Sequence, residues 1–196
     1  ELANDNVAAC MALGRAYILA GRAREGIAEL EALVEKPRVP FGAKRLLEQA
    51  LVQQGNTREL SRFYQKMMTQ TPDDVRWYLN AGIFEKQQGR PESGLELLNR
   101  ALDIKQTSYA GQTPQAWAND SLYAAILDTY LETMHSSAGE PATPSWRSDK
   151  LNTLQQEAQA YLAGPFGFVA AYRMAQAKLT LRDRAGAVQL CAQAMD

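Results

Sequence analysis

Two stretches of the chain align without a gap. They are Ala12-Leu13-Gly14-Arg15-Ala16-Tyr17-Ile18-Leu19-Ala20-Gly21-Arg22-Ala23-Arg24-Glu25-Gly26-Ile27-Ala28-Glu29-Leu30 and Asn80-Ala81-Gly82-Ile83-Phe84-Glu85-Lys86-Gln87-Gln88-Gly89-Arg90-Pro91-Glu92-Ser93-Gly94-Leu95-Glu96-Leu97-Leu98. Between them lies a third copy, with Leu47-Glu48 through Leu51, then Gly55, then Leu60 and Tyr64. Gly21, Gly55 and Gly89 stand 34 residues apart. Three glycines alone could match by accident, but their flanking apolar positions match as well. A fixed period of this length marks supersecondary units that stack and bury a shared core.

Each unit reads as a helical hairpin. Small residues at Gly14, Gly82, Gly26 and Gly94 let the two helices of a hairpin approach closely. Pro37, Pro72 and Pro91 fall where helices end or begin, as a residue without an N–H should. Asn56 is placed to cap a second helix, with Glu59 as its capping-box partner. Asp73 is placed to cap the helix after Pro72.

The pattern resembles the tetratricopeptide repeat family, with its Leu-Gly-x-x-Tyr on a first helix and a small residue, an aromatic and a Pro on the second. The first copy has Leu13, Gly14, Tyr17, Gly26, Leu30 and Pro37. The second has Leu47, Leu51, Leu60, Tyr64 and Pro72, with Glu48 in place of the small residue and Leu60 in place of alanine. The third has Tyr78, Ala81, Gly82, Gly94, Leu98 and Ala101, with Glu85 where Tyr is expected. The resemblance implies an all-α fold, a right-handed α-solenoid of about five antiparallel helical hairpins in a superhelix.

Residues 1–104 are expected to form three hairpins in 34-residue register. Residues 105–162 are expected to form an atypical fourth. There Lys105–Thr113 is turn-rich, and one long helix runs from Gln115 to Met134. A flexible loop lies near 135–145, and a second helix runs from Trp146 to Leu162. Residues 163–196 form a fifth hairpin, with Tyr172, Ala175, Leu179 and Leu181 on its first helix and Ala187, Val188, Cys191 and Ala194 on its second. The chain ends after a second helix with no solvating cap, so further repeats or another chain are expected over Val188 and Cys191.

Composition excludes several functions. The formal net charge of −1 lacks the unbalanced Lys and Arg of a nucleic-acid binder. No stretch approaches the roughly 18 uninterrupted apolar residues of a membrane span. The N-terminus shows no signal-peptide pattern and no initiator Met, so the chain reads as a soluble segment of a longer or processed protein, its compartment open. Cys10 and Cys191 have no ligand spacing and are expected to be buried, inert thiols.

Catalysis requires convergent polar groups. His135, the single histidine, falls at a helix end, where it complements the helix dipole. Asn119-Asp120-Ser121 matches a glycosylation pattern within an expected helix. No cofactor, metal or reaction is expected. Tyr17, Tyr64, Tyr78 and Tyr130 match core positions, whereas Trp77, Trp117 and Trp146 lie outside the repeat pattern and suit inter-helix or groove contacts.

The resemblance also implies that the first helices line a concave groove that holds a protein or peptide partner. The residues facing it are Arg15, Arg45 and Gln49, then Arg76, Asn80, Ile83, Lys86 and Gln87. Met11, Ile18, Leu19, Val52, Gln53 and Leu79 join them, followed by Ser121, Asp128, Glu132, Tyr172, Arg173 and Gln176. Guanidinium and amide groups beside apolar side chains suit the backbone and carboxylates of an extended peptide. The carboxylate clamp of some family members is incomplete, because Ser121 and Ala125 stand where basic residues are required. A second expectation is structural: self-association through the uncapped C-terminal hairpin.

Overall fold

Gly21, Gly55 and Gly89 adopt φ of 76°, 65° and 75°, the left-handed region that terminates a helix and that glycine enters without a Cβ clash. At each one the next N–H reaches back to a carbonyl five residues earlier. Arg22 bonds Tyr17 at 2.8 Å, Asn56 bonds Leu51 at 3.3 Å and Arg90 bonds Glu85 at 2.9 Å. A fourth closure of the same kind, Asp183 N–H to the Lys178 carbonyl at 2.8 Å, turns on Arg182 at φ 65°. No glycine marks that turn, so the glycine spacing does not reveal it.

The structure, a computed structural model, describes residues 2–36, 38–108, 120–136, 145–157 and 167–193. Every regular element among them is helical. They are α1 (Leu2–Leu19), α2 (Ala23–Val34), α3 (Phe41–Gln54), α4 (Thr57–Gln70), α5 (Val75–Gln87), α6 (Pro91–Ser108), α7 (Ser121–Ser136), α8 (Ser145–Glu157), α9 (Gly167–Thr180) and α10 (Arg184–Gln193). The chain divides into two compact units, Glu1–Met67 and Met68–Asp196. In the first, α1 packs on α2, and α3 packs on both. In the second, α5 and α6 pair and both contact α7, while α9 packs on α7, α8 and α10.

The glycines at mid-helix explain how closely a hairpin closes. A Cβ on Gly14 would lie 2.8 Å from Leu30 Cγ, and one on Gly26 would lie 2.7 Å from the Gly14 carbonyl oxygen. The third hairpin repeats this, with Gly82 at 2.7 Å from Leu98 Cγ and Gly94 at 2.9 Å from the Gly82 oxygen. The α3/α4 hairpin has Glu48 and Leu60 at these places. Glu48 is buried at 4% exposure and accepts hydrogen bonds from the Tyr64 hydroxyl at 2.8 Å and Arg45 Nη1 at 2.7 Å. A buried carboxylate requires such partners, and both come from its own hairpin.

The closing bond also brings the side chains of residues five apart together. Arg22 stacks over the Tyr17 ring at 4.6 Å. Arg90 pairs with Glu85 at 2.5 Å and Lys178 with Asp183 at 2.8 Å. Glu85 therefore departs from the expected Tyr with a partner already supplied by the turn. Lys178 occupies the same place and is 5% exposed, with Asn152 as a further acceptor at 3.2 Å.

Several local expectations need correcting. Asp74, not Asp73, caps α5, accepting from Arg76 N–H at 3.2 Å. Asn56 does cap α4, accepting from Glu59 N–H at 3.3 Å, and its own N–H goes to Leu51. Lys105–Ser108 continues α6 rather than starting a turn; Thr107 and Ser108 return their hydroxyls to the Asp103 and Lys105 carbonyls at 2.8 and 2.6 Å. Asp120 lies outside any helix and α7 begins at Ser121, so the single continuous helix expected from Gln115 to Met134 does not form; Gln115 itself lies outside the described residues. Asp120 caps α7 through Leu122 N–H at 2.8 Å and Tyr123 N–H at 3.0 Å, and pairs with Lys105 at 2.5 Å.

Cys191 is exposed and Cys10 half-buried, with its Sγ 3.4 Å from Asn6 Oδ1, so neither is the buried thiol expected. His135 does fall in the last turn of α7, but its side chain lies outside the described residues. So do Pro37, Trp117, Asn119, the side chain of Trp146, Ala194, residues 109–119, and the stretches 137–144, 158–166 and 194–196.

Two substitutions test this account by urea denaturation. Gly82→Val is expected to destabilise the protein by about 1–3 kcal/mol, because the new methyl groups collide with Leu98. Arg182→Gly is expected to stabilise it by about 0.5–1 kcal/mol by relieving a left-handed non-glycine residue.

Candidate functional site

The first helices of the two units present the residues singled out from sequence, and each unit is distinct. In the first unit Arg15 is exposed on α1 and makes no ion pair among the described residues. Gln49, also exposed, occupies on α3 the place that Arg15 holds on α1, six residues before the turn glycine. Arg45 remains 41% exposed, but its guanidinium is held by Glu48. The same Glu48 charge, together with burial, pushes the Tyr64 hydroxyl well above the ordinary tyrosine range; burial is the larger cause.

In the second unit Arg76 grips its own helix cap, with Nε 2.7 Å from Asp74 Oδ1 and Nη2 2.7 Å from Oδ2. That hydrogen bonding raises the Arg76 pKa further. Asn80 and Ile83 are half-buried and Gln87 is exposed. Lys86 reaches α7 and pairs with Glu132 at 3.0 Å. From the other side Arg173 of α9 pairs with Asp128 of α7 at 2.8 Å. Helix α7 is thus tied to both neighbouring first helices by charges of opposite sign. Gln176 donates to the Tyr172 hydroxyl at 2.9 Å, while its Oε1 is buried with no hydrogen-bond partner among the described residues.

Some expected groove residues sit elsewhere. Leu79 is 9% exposed and belongs to the core of the second unit, beside Val75, Leu95 and Tyr123. Trp77 is fully buried, so it is a core residue and offers no surface contact. Tyr64 and Tyr130 are core residues, as expected, and Tyr78 packs against the core. Tyr17 is half-buried beneath Arg22.

The second helices hold two cavities that the first-helix argument did not anticipate. In the first unit a cleft of about 420 Å³ has Val34, Leu47, Leu51 and Phe63 beneath Glu31, Glu35, Glu59, Arg62 and Lys66. Lys66 is ion-paired to Glu35. Burial, followed by the Glu59 charge, raises the Glu31 pKa. In the second unit a cavity of about 500 Å³ lies among Glu92, Glu96, Asn99, Asp103 and Lys150, and Lys150 pairs with Asp103 at 3.1 Å. The i, i+3, i+4 spacing of these charges on α2, α4 and α6 was visible in the sequence. That they flank cavities was not.

No protein-family model matches the chain, and no curated protein matches it. Solved structures do. The nearly identical TPR-like repeats of a kinesin-light-chain-type protein from Podosopora anserina superpose at TM-score 0.62 with 14% identity, over 97% of this chain and 93% of that one. A variant of the same repeats, with a single glutamine replaced by methionine, gives the same values. MamA from MSR-1 superposes at TM-score 0.53 with 12% identity, over 97% and 95%. At such identities the likeness is one of fold, and the fold is the tetratricopeptide-type helical repeat. No helix among the described residues is long and apolar enough to cross a membrane.

Stability should depend on pH through Tyr64. Its folded-state pKa lies above the unfolded value of about 10, so the folded state holds the proton more tightly. That contribution is complete below pH ~10 and is lost as pH rises beyond it. Urea midpoints are expected to fall from pH 9 to 11, and less steeply in Tyr64→Phe. Glu48→Ala, which removes the carboxylate that accepts from the Tyr64 hydroxyl, is expected to cost about 1–3 kcal/mol at pH 7, read from the same titration.

Proposed function

We propose that the chain is a non-catalytic interaction module that holds an extended segment of a protein partner on its first-helix faces. Each unit supplies its own face: Arg15, Arg45 and Gln49 in the first, and Arg76, Asn80, Ile83, Lys86 and Gln87 in the second. The fold supports a protein-holding role in general terms. The observation that carries the finer reading is the pair of bridges Lys86–Glu132 and Arg173–Asp128.

These bridges hold α5, α7 and α9 side by side and leave the face with balanced charge. Half-exposed pairs of this kind are worth little individually, about 0.2–1 kcal/mol. A partner carboxylate can therefore displace Glu132 from Lys86 at small cost. The half-buried, apolar Ile83 adds a non-polar contact for the bound segment. Arg45 and Arg76 are already engaged by Glu48 and Asp74, so they shape the face, and Arg15 supplies an exposed cation that has no ion pair among the described residues.

A peptide-array screen tests this reading, followed by fluorescence titration of the captured peptides. Arg15→Glu and Lys86→Glu are expected to weaken binding about tenfold or more in the unit concerned, because each places a negative charge where a carboxylate docks. Unchanged affinity in both variants excludes the first-helix faces.

A further inference from the structure

The left-handed turn residues Gly21, Gly55, Gly89 and Arg182 give their four hairpins a common register. Twelve, eight and five residues before it, the first helix carries a face that is buried in α3 (Ala43, Leu47, Ala50), in α5 (Trp77, Ala81, Phe84) and in α9 (Ala170, Met174, Ala177). In α9 that face is the one packed against α7. The same positions in α1 are Ala9, Leu13 and Ala16. There Ala9 and Ala16 are exposed and Leu13 is 43% exposed.

The opposite face behaves the other way round. In the third hairpin, Val75, Leu79 and Leu95 are buried in the cluster that includes the α7 residues Tyr123, Ile126 and Leu127, and α7 contacts both helices of that hairpin. The register equivalents in the α9/α10 hairpin are Phe168, Tyr172 and Val188. These are 66%, 51% and 69% exposed. Cys191, equivalent to the fully buried Leu98, is exposed as well.

One chain thus carries both halves of a hairpin-stacking interface, each uncovered. The α1 half is small and alanine-rich, and the α9/α10 half is large and aromatic, so they are complementary in volume as well as in register. We propose that these halves pack on each other between copies. The α9/α10 hairpin of one copy receives α1 of the next, with Phe168, Tyr172 and Val188 lying over Ala9, Leu13 and Ala16. The contact is heterologous, so successive copies add head to tail. The occupant is another copy of this chain, and the interface does not depend on a peptide being held on the first-helix faces.

Sedimentation equilibrium and light scattering across a dilution series test this on the full chain. The wild type is expected to gain mass steadily with concentration. Leu13→Glu and Val188→Glu alter exposed side chains, and each is expected to keep wild-type helicity by circular dichroism yet run as a monomer. Mixed together they are expected to form a one-to-one dimer that grows no further, since the mixture retains one intact half of each kind. A wild type that stays monomeric throughout overturns the proposal and leaves the surface to a hairpin of some other polypeptide. Continued association of Leu13→Glu alone also overturns it, since that points to a symmetric contact between two α9/α10 hairpins. So does a mixture that stays monomeric while the wild type assembles.

Discussion

The hydrogen bond from the residue after each left-handed turn to the carbonyl five residues earlier is the constraint on which the rest of the molecule depends. It ends the first helix, reverses the chain and fixes the rotational phase of the second helix. Once the phase is fixed, Gly14 must face Gly26 and Gly82 must face Gly94. Within each unit the first helix then has distinct edges for the neighbouring hairpins, as α9 does toward α7. Packing, exposure and surface charge can therefore be compared from one hairpin to another by counting from a single residue.

That constraint also explains what could be read from the amino-acid order. Three of the turns contain glycine, because its conformational freedom is needed there, and their spacing is visible at a glance. The turn at Arg182 is identical in hydrogen bonding but uses a residue that pays a steric cost, so it leaves no mark in composition. The early start expected for α7 failed for a similar reason. Gln115 onward has helical periodicity, but Asp120 takes up the first N–H groups of a helix that begins at Ser121, and capping fixes a boundary more sharply than periodicity does. Cys191 was expected to be buried because free thiols without ligand spacing usually are, yet it is exposed. Burial needs a neighbour as well as a suitable position.

The face of the first helices was legible in kind and less so in detail. Residue type and helical phase were enough to place Arg15, Gln49, Lys86, Asp128, Glu132 and Arg173 on first helices. They could not reveal that Lys86 meets Glu132 and Arg173 meets Asp128, because those partners lie on different helices and their pairing depends on inter-helix distance. Leu79 had the phase of a surface residue but is covered by the hairpin that follows. Local periodicity describes a helix in isolation, and the repeat converts one side of each helix into core.

The pairs five residues apart have a consequence for how such a chain can vary. Glu85 with Arg90 and Lys178 with Asp183 are the same contact with its polarity reversed, held by the same backbone bond. Tyr17 under Arg22 fills the place with a ring. The turn therefore works as an exchangeable socket: the sign of charge at a hairpin's edge can be inverted by substituting two residues, without moving a helix axis. A chain built from such sockets can change its outward electrostatic pattern hairpin by hairpin while its interior remains unaltered.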